Sequence, residues 1–332
     1  MNDKRPVIGI TMGDPVGIGP EIIVSALKDP LIYELCRPLV IGDVNIMKSA
    51  VKLKKSSAML FSAASPEKGT YTHGTIDILS LSELSGKNAV PASPDAKTGS
   101  AMLSYITKAV DLAVDKKIAA MVTCPITKTA MKMAGSKFHG HTELIAERTG
   151  TKDYAMMLAG DKLKVVLVTI HIPLSEVPQK ITKEKIVKTI RITGNSLKNR
   201  FKIKSPVIAV AGLNPHAGED SMFGTEEKEI IAPAVQQARD EGFNAAGPFP
   251  PDTLFYHAAK GKYHGVVCMY HDQGLIPFKM IHFNDGVNTT LGLPIIRTSV
   301  DHGTAYDIAW KGVADASSLT ASIKMAVLQA NA

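Results

Sequence analysis

Three histidines, His171, His216 and His271, each close a short apolar run rich in β-branched residues, in KVVLVTIH, PVIAVAGLNPH and YHGVVCMYHD. Neutral imidazoles suit Zn, Co, Fe or Ni, and a site with three protein ligands leaves positions for a substrate's hydroxyl and carboxylate. This is not the local HExxH arrangement, so the fold must bring the rings together. Spacing alone also allows three unrelated strand-end histidines bonded to backbone groups.

Further groups invite an anion. GDPVGIGPE, residues 13–21, turns from a strand into a helix, with Pro20 suited to the first helical position. Gly17 and Gly19 resemble a phosphate loop. No third glycine completes GxGxxG, however, and no acidic residue ends a second strand at a ribose position, so the Rossmann fingerprint fails and a plain tight turn explains the glycines as well. FHGHTE, residues 138–143, sets His139, His141 and the Thr142 hydroxyl just before an apolar helical pattern, where Thr142 is placed to cap the helix or bind an anion. Lys279, Asn288 and Arg297 are separated by Gly286, Gly292 and Pro294, which predicts a loop-rich face. An arginine fork, a lysine point charge and an amide together suit phosphate or carboxylate; surface solvation is the plainer reading of each alone.

The elements that must position these residues are legible in outline. The three runs above, with PVIGITMGD and KIAAMVTCP, are apolar at successive rather than alternating positions, as in strands covered on both faces. Between them lie helical spacings such as Ala101, Tyr105, Ala109 and Ala113. The fold class is therefore α/β. Open α/β sheets gather ligands beyond the carboxyl ends of their strands. Those ends carry Asp14, residues 123–128, His171, Asn214 with His216, and His271 with Asp272.

At 332 residues the chain exceeds the roughly 250–300 at which single cores stop growing, so two lobes are expected. The formal charge of +7 is scattered, which fits a small anionic substrate. Nucleic acid fits poorly, because no stretch interleaves Lys or Arg with aromatics. No run approaches roughly 20 apolar residues, so no membrane span is expected, and the first residues are too briefly apolar for a secretory leader. Cys36, Cys124 and Cys268 show no CxxC spacing, which argues against a disulfide framework or thiolate zinc and for a reducing, cytoplasmic compartment.

Seven phrases in order, TMGDPVGIGPE, GHTE, GLNPHAGE, GPFPPDT, YHDQG, GVNTTLGLP and IRTSVDHGTAYDIA, run from Ile10 to about Lys311. Together they resemble the family of 4-hydroxythreonine-4-phosphate dehydrogenases, including the related D-threonate and D-erythronate 4-phosphate dehydrogenases. The resemblance implies a two-lobed α/β/α fold similar to isocitrate and isopropylmalate dehydrogenases, with the active site in the interlobe cleft and NAD or NADP bound without a Rossmann motif. One lobe is expected to be discontinuous, residues 1–130 with 300–332, and the other to hold residues 131–299 with the metal and dimer-interface elements. The resemblance further implies that His171, His216 and His271 bind one divalent metal (Zn, Mg or Co) and that His141, Thr142, Lys279, Asn288 and Arg297 contact substrate. It also implies a homodimer in which the last metal histidine comes from the partner subunit.

The implied activity is oxidation of 4-phosphooxy-L-threonine at C3, then decarboxylation to 3-amino-2-oxopropyl phosphate, in pyridoxal 5'-phosphate (vitamin B6) synthesis. A metal would polarise the hydroxyl being oxidised. Lys279, Asp252 in GPFPPDT and a metal-bound hydroxide all stand as candidate bases, and no cofactor-binding residue is assigned. Trp310, where many biosynthetic members carry glycine, and DYAMMLAGDKLKVV are similar to the sugar-acid branch, which oxidises 4-phosphorylated threonate or erythronate; YHDQGLIPFK is similar to the biosynthetic branch. An acyl-phosphate transferase on a related fold is opposed by the three strand-end histidines. A silent binding protein is opposed by the family identities of those histidines, Lys279 and Arg297.

Overall fold

The computed structural model describes residues 3–85, 89–138 and 140–332, so His139 of FHGHTE lies outside the described residues. Its strands are β1 (Val7–Thr11), β2 (Arg37–Gly42), β3 (Met59–Ser62), β4 (Thr75–Ser80), β5 (Ala120–Thr123), β6 (Ala155–Ala159), β7 (Lys164–Leu167), β8 (Ile208–Ala211), β9 (Ala245–Phe249), β10 (Gly265–Cys268), β11 (Val287–Leu291) and β12 (Arg297–Ser299). Helices fill most of the connections, and the fold class is α/β.

The chain forms two compact units, Met1–Lys152 with Leu293–Asn331, and Asp153–Gly292. One unit is discontinuous, but the crossings do not fall at 130 and 300. Helix His141–Arg148 belongs to the first unit, where Arg148 forks onto Asp111 of helix Ala96–Val114 at 2.7 Å. Arg297 joins the first unit because β12 pairs with β5.

In the first unit the strand order is β3-β4-β2-β1-β5-β12, and every neighbouring pair runs parallel. Parallel strands need crossovers, and the helices that make them cover both faces. Every residue of β1 and β5 is accordingly buried. Helix Ala96–Val114 opens with a capping box between Asp95 and Thr98 and lays Ala101, Met102, Tyr105 and Ala109 on the core. Caps of this kind are worth about 1 kcal/mol. Asp43, fully buried, caps helix Val44–Leu53 through the Asn45 and Ile46 N–H groups and accepts from the Ser82 hydroxyl and Leu84 N–H, both at 2.7 Å.

The second unit orders its strands β11-β6-β7-β10-β8-β9. β11, β6 and β7 are antiparallel neighbours, while β7, β10, β8 and β9 run parallel. Leu158, Val165, Val266, Cys268, Leu275 and Phe278 share its core. All three cysteines are free and buried. Among the described residues, no helix is long and apolar enough to cross a membrane.

Candidate active site

β12 begins at Arg297, only 3% exposed. Its Nε and Nη2 both donate to the Thr123 hydroxyl, at 3.2 and 2.8 Å, at the end of neighbouring β5. Burial pushes the guanidinium pKa down to about 10, which still leaves it charged at neutral pH. His141 opens helix His141–Arg148, and burial together with the Arg297 charge holds its imidazole well below the usual histidine range. Its Nε2 is shielded from solvent and lacks a partner among the described residues. A buried cation beside a neutral imidazole with an unused ring nitrogen suits an anion, whose charge offsets the cost of burying the guanidinium.

The glycines after β1 serve packing. Gly13 has φ +72°, and a Cβ there would meet the Pro125 carbonyl oxygen at 2.3 Å; on Gly19 it would meet that of Met12 at 2.1 Å. Only glycine tolerates such close backbone approach. Asp14 accepts from the Tyr306 hydroxyl at 2.5 Å and from Val16 N–H at 3.1 Å. Burial raises the Asp14 carboxyl above the ordinary range despite these bonds, and raises the Tyr306 phenol as well.

In the second unit His171 stands exposed in the loop after β7, and His271 is the first residue of helix His271–Ile281, just past β10. Their rings lie 5.6 Å apart, and both line a cavity of about 470 Å³ with Thr169, Ile170, Tyr270 and Asp272. His271 Nδ1 lies 2.7 Å from the Asp272 carboxylate. In the tautomer where Nδ1–H donates to that carboxylate, the Nε2 lone pair is left for a metal. Two imidazoles this close, one of them oriented by a carboxylate, fit a divalent ion such as Zn.

His216 sits apart in the turn Pro215–Gly218 after β8, its ring 6.2 Å from that of Phe223. Residues 216–221 all have positive φ, five of them with side chains, which costs roughly 1–2 kcal/mol per residue. Elsewhere in the unit, Asn288 lies on β11 opposite Leu158, with its Oδ1 buried and unpartnered. Lys279 ends helix His271–Ile281 with its ammonium 5.8 Å over the Phe283 ring. Asp252 is exposed in the first turn of helix Pro251–Ala259.

A family model described as "Pyridoxal phosphate biosynthetic protein PdxA" matches residues 34–326. The chain belongs to this family. A relative named "4-hydroxythreonine-4-phosphate dehydrogenase" from Desulforapulum autotrophicum is 66% identical over 330 residues, covering 99% of this chain and 97% of its own. One named "D-threonate 4-phosphate dehydrogenase" from Cupriavidus necator is 47% identical over 326 residues, covering 98% of this chain and 97% of its own. The crystal structure of a 4-hydroxythreonine-4-phosphate dehydrogenase from Klebsiella pneumoniae matches with TM-score 0.92 at 41% identity, covering 99% of this chain and 100% of that one.

Several placements in this PdxA-family chain differ from the sequence expectation. Thr142 does not cap its helix: Gly140 holds the N-cap without a side-chain bond, so His141 and Thr142 lie inside the first turn. Asn288 and Arg297 sit on strands rather than a loop-rich face, and Lys279 sits on a helix. Thr123, the seat of Arg297, carried no sequence signal as its partner because 174 residues separate them. His171 and His271 come together, whereas the three histidines do not form a group with ligand atoms all within 4.8 Å; among the described residues Asp161, His282 and Asp285 do. His282 is already engaged through both nitrogens, accepting from Lys162 N–H at 3.3 Å and facing Asp285 at 3.1 Å, as a structural histidine does.

Proposed function

We propose that this PdxA-family chain is an NAD(P)-dependent dehydrogenase that oxidises 4-hydroxy-L-threonine 4-phosphate at C3 and releases CO2 to give 3-amino-2-oxopropyl phosphate. The observation that carries this choice of substrate is the 66% identity to a relative bearing that enzyme name. Its place in the cell is pyridoxal 5'-phosphate synthesis in the cytoplasm, a reading supported by three free, buried thiols.

Arg297, seated on Thr123, and neutral His141 with its unused Nε2 bind the substrate's anionic group, and Thr142 adds a hydroxyl in the same helical turn. Asn288 presents a buried, unpartnered amide oxygen to a substrate donor. His171, His216 and His271 are the metal ligands, with Asp272 holding the His271 tautomer. A divalent metal (Zn, Mg or Co) held by these residues would supply Lewis-acid polarisation of the C3 hydroxyl, and NAD(P) would supply the hydride acceptor. The hydroxyl proton passes to Lys279 or Asp252; unchanged turnover and pH profile in Lys279→Met would remove Lys279 from that role.

The chain acts as a homodimer. Helix His271–Ile281 leaves Ile276 59% and Met280 82% exposed, one turn apart, with Phe283 75% exposed just beyond. Such a face beside His271 suits a subunit interface, which would bring in His271 of the partner subunit beside His171 and His216.

The deciding experiment measures NADH production by chelator-treated protein given 4-phosphohydroxy-L-threonine, with and without Zn, Co or Mg, beside a His216→Ala control. Metal-restored turnover that the control lacks is the expected result. Turnover only with D-threonate or D-erythronate 4-phosphate would move the chain to the sugar-acid branch, which Trp310 and the 47% identical relative favour. Failure with every acid would reject the dehydrogenase reading.

A further inference from the structure

We propose that Glu227 is a positioning residue that holds His216 in its ligating direction, an inference that rests on His216 being a metal ligand. His216 opens a left-handed run, with φ of +52°, +55°, +86°, +38°, +51° and +74° along residues 216–221. Backbone of this kind persists only where its surroundings over-determine it. The surroundings here centre on one carboxylate.

Glu227 is 5% exposed and begins the π-helical turn Glu227–Ile231, a local irregularity often found at functional sites. Its Oε1 accepts from Leu213 N–H and Asn214 N–H, each at 2.7 Å, and its Oε2 from the Asn214 side-chain amide at 2.9 Å. Glu226 takes a further bond from that amide at 2.7 Å. The turn also closes tightly around Glu227. A Cβ on Gly212 would lie 3.1 Å from its Oε1, and one on Gly218 2.8 Å from its Oε2.

The carboxylate therefore fixes the two residues before Pro215 and sits inside the turn that follows. Two positions beyond Asn214, His216 takes its direction from that fixed backbone. A ligand already aimed need not be ordered when the ion arrives, which strengthens binding without an added contact. Neighbouring space is available for the turn to relax into: a cavity of about 420 Å³ borders Ala217, Gly218, Ser221, Glu227 and Pro248. Removing the carboxylate frees the turn to move that way and swings His216 off its line.

Co2+ titration of the full-length, metal-stripped chain, read by calorimetry and by the visible absorption of bound Co2+, tests this alongside amide exchange before metal is added. Glu227→Ala is expected to bind roughly 10- to 100-fold more weakly, with changed absorption and faster exchange at the Leu213 and Asn214 amides. Glu227→Gln keeps an acceptor for both backbone N–H groups but sets its amide against that of Asn214, so it should fall between. A residue serving stability alone would lower the melting temperature and leave the Co2+ absorption unchanged. Wild-type affinity and absorption in Glu227→Ala, or in Glu227→Gln should the alanine variant not fold, would overturn the proposal. Wild-type Co2+ binding in His216→Ala would instead remove the metal assignment beneath it.

Discussion

Burial and the Arg297 charge together set the protonation of His141. The guanidinium, buried against Thr123, stays protonated, and its field adds to burial in keeping His141 neutral. The folded pKa of His141 thus lies below the unfolded 6.5. As pH falls through 6.5, the unfolded chain takes up a proton that the folded imidazole refuses, so stability is full above that value and declines below it. Urea unfolding between about pH 7.5 and 5 should show a steeper loss for wild type than for His141→Gln; parallel slopes would contradict the assignment. Legibility at this scale depended on location. His171, His216 and His271 stood out because each follows a recognisable strand. Arg297 read as a loop residue, solvated or anion-binding, because it opens a strand of only three residues after Pro294. That it is buried is a property of the sheet around it and of a threonine far away in sequence.

Among the elements, strands buried on both faces were the easiest to read, and β1, β5, β7, β8 and β10 all came from unbroken apolar runs. β11 was hidden because Asn288, Thr289 and Thr290 give it a polar composition between glycine-bearing turns, although most of it is buried. β3 lies at one end of the strand order, largely exposed, so its apolar residues report no core. The glycines after β1 resembled a phosphate loop although they answer to close backbone packing. Helix His271–Ile281 carries the sharpest expectation here. Ile276→Asp with Met280→Asp should convert the proposed dimer to monomers in sedimentation while leaving the far-ultraviolet spectrum intact, because both side chains project from the core. Activity should fall with the dimer. A dimer that survives both changes would place the interface elsewhere.

For the whole molecule, the sharpest expectation concerns whose histidines share a metal. Within one chain His171 and His271 already lie side by side, while the family resemblance calls for His271 of the partner subunit. Mixing inactive His171→Ala and His271→Ala chains separates the two arrangements. Shared sites should restore about a quarter of wild-type activity, since half the dimers are mixed and each mixed dimer keeps one intact site. A site complete within one chain would restore none. The antiparallel pair β6 and β11 has its own consequence. Ala155 and Leu291 are register partners close to either end of the second unit, so that unit enters and leaves through adjacent strands, about 5 Å apart. Asp153–Gly292 is thus an insertion hung from one ladder rung. It is a module that evolution or an engineer can lengthen, permute or exchange by splicing at that rung, leaving the course of the host chain on either side as it was.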